Sequence, residues 1–116
     1  MAWPQILKAP LTKKQIKELT DTFIEDMIKV AVDVKEETVA AGCSLHADAE
    51  ELLLKHGSAQ KNIWGANYFP AKKKGERLEY SALMNIRPKH GNPSQFIRDK
   101  TIREKIKEVT GHFFEL

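Results

Sequence analysis

Residues 78–92, LEYSALMNIRPKHGN, open as a strand and close as a loop. Leu78, Tyr80, Ala82, Met84 and Ile86 fall on one side of a two-residue repeat, and Glu79, Ser81, Leu83, Asn85 and Arg87 on the other. Such alternation predicts a half-buried strand, because successive side chains point to opposite faces. After Ile86 the pattern stops, and Arg87, Lys89, His90, Gly91, Asn92 and Ser94 follow, punctuated by Pro88 and Pro93. A run of hydrogen-bonding residues broken by Pro and Gly reads as an ordered loop at the strand's end. Loops held on rigid strands are where proteins concentrate binding groups.

Working outward, Ile63 to Phe69 is apolar and aromatic enough for the preceding strand, and Pro70 ends it. Its alternation puts Trp64, Ala66 and Tyr68 on one face and Ile63, Gly65, Asn67 and Phe69 on the other. Gly65 allows another backbone or a ligand to approach closely. Ala71 to Glu76, with three lysines, is a solvated connection. Upstream, Val30, Val32 and Val34 alternate with Ala31, Asp33 and Lys35, and Thr38 to Ala41 resumes the β pattern, so a charged hairpin turn is expected between them.

Three helices frame these strands. Thr12-Lys13-Lys14-Gln15 is a capping box with Leu11 and Ile16 placed as a hydrophobic staple. Ile16, Leu19, Phe23 and Met27 then recur at helical spacing, which predicts a helix from 12 to about 28. His46 to His56 carries acids in its first turns and Lys55 and His56 at its end, matching the helix macrodipole, with Gly57 as its stop. Ile102, Ile106, Val109, Phe113 and Leu116 predict the last helix, with Asp99 as N-cap and Gly111 as an alternative terminus. The order α-β-β-α-β-β-α predicts an α+β domain: a four-stranded, mainly antiparallel sheet covered by helices on one face. Residues 1–116 are expected to form one domain, with residues 1–10 a flexible lead-in.

Composition bounds the function. The chain has 116 residues, 41% hydrophobic and 30% charged, as in an ordinary globular protein with a substantial core. It has no apolar run long enough to span a bilayer, and MAWPQILKAPL, without a long apolar core or a small-residue cleavage site, is not expected to act as a secretion signal. The single Cys43 rules out an internal disulfide, so a cytoplasmic location is expected. The net charge of +3 is unevenly spread: acids dominate Glu18–Lys55, whereas Lys72–Lys107 is basic. That asymmetry fits an anionic partner, or two halves that attract one another.

His46, Asp48 and Glu50 are candidate catalytic residues. Their spacing argues against a metal, because Asp48 is turned about 200° from His46 on a 3.6-residue repeat, and no cofactor is implied. Asp48 and Glu50 equally suit a helix N-terminus, with His46 packed at its entry. Cys43 beside His46 could be a nucleophile, but a lone cysteine after Gly42 is more often a buried apolar residue. Arg87 offers a planar fork for a carboxylate or phosphate, and His90, Asn92 and Ser94 add donors. A hairpin through residues 70–77 would bring Gln60, Trp64 and Gly65 to the same rim. Alternatively, Asn92 and Ser94 tie down their own loop. Arg87 is expected at least half buried and bonded to an acid or carbonyl of His46–Gln60.

HADAEELLLKHGS (46–58), Gln60, IWGANYFP (63–70) and MNIRPKHGN (84–92), taken together, resemble a small prokaryotic family of uncharacterised conserved proteins. The resemblance runs from about Leu11 to Val109. Its matched positions are His46, Asp48, Glu50, Gly57, Ser58, Gln60, Trp64, Gly65, Asn67, Asn85, Arg87, Pro88, Gly91 and Asn92. It implies one shared polar site without naming its chemistry.

The leading expectation is therefore a module that binds a small anionic ligand or a partner through Gln60, Trp64, Asn67, Arg87, His90 and Asn92. A hydrolase-like enzyme combining His46, Asp48 and Glu50 with Arg87 and Asn92 is the alternative. Nucleic-acid binding through the basic half ranks third, because the acidic half would repel the same polymer and no reading motif occurs.

Overall fold

A computed structural model of the protein describes residues 2–116. The chain runs β1 (Gln5–Ile6), α1 (Lys13–Thr22), β2 (Ile28–Asp33), β3 (Thr38–Ala41), α2 (His46–Lys55), β4 (Ile63–Tyr68), β5 (Leu78–Glu79) and α3 (Lys100–Thr110). The strands form one antiparallel sheet in the order β1-β3-β2-β4-β5. The fold is α+β as expected, but the sheet has five strands and not four. The extra strand comes from the expected lead-in: Gln5 and Ile6 pair with Ala41 and Ala40, and Leu7 is buried.

The β2–β3 hairpin closes without an Asn-Gly turn. Asp33 Oδ1 instead accepts from the backbone N–H groups of Lys35 and Glu36, both at 2.9 Å. The Thr12–Gln15 capping box forms in both directions. Yet α1 stops at Thr22 and not near residue 28. Phe23 still packs against the core, but Asp26 turns left-handed (φ 63°) and leads the chain into β2. Asp99 caps α3 by accepting from Thr101 and Ile102, and the helix ends before Gly111.

Alternation along the strands produces two cores, so the sheet is covered on both faces and not on one. Val30, Val32, Val39, Trp64, Ala66 and Tyr68 point toward α1 and α3, where Leu19, Ile106 and Val109 meet them. Ala31, Ala40 and Ile63 point the other way, under Ala49 and Leu53 of α2. Small residues on this second face let α2 lie close to the sheet.

The expected strand 78–86 is the main correction. Only Leu78 and Glu79 form a ladder, with one further bridge from Ser81 to Phe96, and Leu83–Asn85 is a turn of 3-10 helix. The ladder gives out at the Asn67–Glu79 pair. Beyond that point the chain folds over Gly65, where an added Cβ would lie 2.5 Å from the Ala82 Cβ and 3.1 Å from the Met84 Sδ. The glycine is thus needed for close approach, and what approaches is the protein's own turn.

Candidate functional site

The turn over Gly65 divides the sequence-predicted residues between two cavities that meet at Met84. One, of about 770 Å³, lies at the head of α2 and takes in Lys29, His46, Asn67, Glu79, Ser81 and Gln95, with a rim of Met27, Leu45, Leu83 and Met84. The other, of about 300 Å³, lies on the loop side and is lined by Gln60, Lys61, Met84, Ile86, Arg87 and His90.

Strand register builds the floor of the larger cavity. Lys29 of β2 stands opposite Asn67 of β4, which stands opposite Glu79 of β5, so the three side chains share the α2 face. The Asn67 Nδ2 donates to Glu79 Oε1 at 2.7 Å and to the Ser81 carbonyl at 3.1 Å. Its Oδ1 is buried and has no hydrogen-bond partner among the described residues, although the residue is only 6% exposed. Such an orphan acceptor is uncommon in a folded protein.

His46 begins α2 and leans onto this floor. Its Nε2 lies 3.0 Å from the Ala66 carbonyl. A carbonyl only accepts, so Nε2 carries the proton and Nδ1 of the neutral ring offers a lone pair. Burial lowers the His46 pKa below 6.5; the Ala66 carbonyl opposes this, Lys29 adds to it, and Asn67 and Glu79 favour the charged ring. Leu45 at the N-cap supplies no side-chain cap. Asp48 is exposed, Glu50 is half-buried, and neither lines the cavity, so the proposed catalytic trio does not gather around His46. Cys43 is 6% exposed and burial pushes its thiol pKa up, the opposite of an activated thiolate. Among the described residues, no group of three or more His, Cys, Asp or Glu could hold a metal ion.

Arg87 is half-buried, as expected, but its partners lie outside the expected segment, two just past it and one in Arg87's own turn. Its Nε donates to the Met84 carbonyl at 3.2 Å, Nη1 to the Lys61 carbonyl at 3.4 Å, and Nη2 to the Ile63 carbonyl. The guanidinium also lies over the Trp64 ring, 4.4 Å from its centroid. Burial lowers its pKa and the Glu50 charge opposes that shift. Asn92 is 3% exposed and spends its side chain inside the loop. Its Nδ2 donates to the carbonyls of Asn85, Ser94 and Phe96, and its Oδ1 accepts from the Arg98 amide. Gln60 and His90 stand exposed at the smaller cavity.

Sequence reasoning missed Lys29, Glu79, Ser81 and Gln95. The strand register was their signal, since Lys29, Asn67 and Glu79 stand in one cross-strand row. Asn85, one of the positions matched in the resemblance, is fully buried and its role is structural.

These features define an α+β domain with a five-stranded antiparallel sheet and a polar-floored cavity at the head of its central helix. A family model described as "Protein of unknown function (DUF5674)" matches residues 5–113, and the chain belongs to that family. No curated protein and no solved structure matches it.

Proposed function

We propose that the domain binds a small molecule in the cavity floored by Lys29, Asn67 and Glu79 and walled by His46. The observation that carries this reading is the row of polar side chains, Lys29, Asn67 and Glu79, that cross-strand register sets at the base of a cavity large enough for a small ligand. A neutral imidazole, a lysine and a carboxylate converge on the same space, while Leu45 (59% exposed) and Leu83 (71% exposed) form an apolar rim. Few polar groups inside an apolar mouth is the usual composition of a ligand site.

A second reading keeps the anionic ligand at the Arg87–Ser94 loop. It is favoured by the cluster of Lys61, Arg87 and His90 around the smaller cavity, where the guanidinium retains N–H donors beyond those given to carbonyls. It ranks second because most of Arg87 is occupied in holding the chain together. The hydrolase-like reading loses its geometry when His46 and Arg87 line different cavities. Nucleic-acid binding is weakened by α3, two of whose three lysines face acids: Lys100 with Glu104 at 3.8 Å and Lys105 with Glu37 at 3.6 Å. Among the described residues no helix is long and apolar enough to cross a membrane.

An NMR fragment screen with neutral, anionic and cationic compounds tests the assignment. Hits should shift the amides of His46, Gly65, Asn67 and Leu83, and Asn67→Leu should remove them. Hits confined to Lys61 and Arg87–Asn92 would move the site to the loop.

A further inference from the structure

We infer that the ligand of the larger cavity is a neutral amide or lactam, an N–H donor beside a C=O acceptor, carried on an apolar body. The inference rests on the binding reading above and names its ligand class. The floor has a polarity that runs across the sheet: an ammonium on β2, an amide on β4, and a carboxylate on β5. Lys29 makes no ion pair among the described residues, so its ammonium is available to an acceptor. Beside it, His46 Nδ1 and the Glu79 carboxylate are acceptors.

Each charged alternative satisfies only half of this wall. A carboxylate would suit Lys29 but set its charge against Glu79 and against the lone pair of His46. An ammonium would suit those acceptors but stand beside Lys29. A lactam edge meets both demands without burying a net charge: its carbonyl accepts from Lys29 while its N–H donates to His46 Nδ1. Ser81 and Gln95, a hydroxyl and an amide, can turn either way to a second polar group. The apolar remainder would lie against Leu45, Leu83 and Met84.

The test titrates the intact protein at neutral pH with uracil and hypoxanthine as lactams, benzoate as a carboxylate and benzylamine as an ammonium, followed by amide shifts and calorimetry. The lactams should bind and shift His46, Gly65 and Asn67. Asn67→Leu and Lys29→Met should each weaken them at least tenfold. Lys29→Met keeps the apolar stem on a half-buried position, so its amide spectrum should remain that of the folded protein even if Asn67→Leu unfolds. Tighter binding of benzoate or benzylamine than of either lactam at these residues would overturn the ligand class while leaving the site standing. Failure of every probe to move His46, Gly65 or Asn67 would remove the binding reading itself.

Discussion

The side-chain amide of Asn85 bonds to the Gly65 backbone as a neighbouring strand would: Oδ1 accepts from the Gly65 N–H at 2.8 Å and Nδ2 donates to the Gly65 carbonyl at 2.9 Å. One side chain thus replaces a rung of the ladder where β5 has already ended. The Nδ2 also reaches the Gln95 carbonyl at 3.1 Å, tying the following segment to the same point.

Asn85→Leu should therefore cost about 3 kcal/mol or more, since it strands a buried N–H and a buried C=O together. Urea denaturation measures it. A loss under about 1 kcal/mol would mean that Gly65 finds other partners and that Asn85 is not the pin of the turn.

Gly65→Ala should destabilise by about 1–3 kcal/mol through overpacking, because its Cβ would fall 2.5 Å from that of Ala82. Pairing it with Ala82→Gly should recover part of the loss, whereas additive losses in the double mutant would place the clash elsewhere.

For Arg87→Ala, we expect a loss of about 2–3 kcal/mol, from charge-assisted bonds to three carbonyls and the stack on Trp64. Arg87→Lys should lose most of the same energy, because an ammonium cannot span those carbonyls with a planar fork. If Arg87→Ala leaves the denaturation midpoint unchanged, the guanidinium is free for a ligand and the loop reading gains.

The His46 pKa is lowered in the folded state, so the unfolded chain takes up its proton first as pH falls through 6.5. Stability from this group is complete above that pH and declines below it, until the folded ring also protonates. Lys29, Asn67 and Glu79 face the ring and set the lower limit. His46→Gln keeps a donor for the Ala66 carbonyl and should flatten the stability profile between pH 7 and 5. An unchanged slope would mean that the ring is solvated and titrates normally.

Periodicity located nearly every element, and it failed where a side chain does the work of a backbone. Leu83, Asn85 and Arg87 fit a strand pattern, yet alternation cannot distinguish a paired strand from a turn anchored by Asn85. Phe23 and Met27 extended the helical repeat of α1, but both lie outside the helix: Phe23 caps it and packs on the core, and Met27 follows the left-handed Asp26 at the cavity rim. The candidate site was legible in parts. His46 and Asn67 were visible as polar residues at structured positions, and they belong together. Lys29 and Glu79 were not, because only cross-strand register brings residues that far apart in sequence into one row. Arg87 was read as a ligand group when its nearest partners are backbone carbonyls, which leave no mark in a sequence.

Both borders of the sheet are two residues long, Gln5–Ile6 on one side and Leu78–Glu79 on the other. An incoming peptide seeking to extend the sheet would find little more than one rung to grip at either side. Recruitment by strand addition is thereby discouraged from both directions, and self-templated stacking of one copy on the next meets the same obstacle. The larger cavity, by contrast, is lined by side chains that no neighbouring strand would engage.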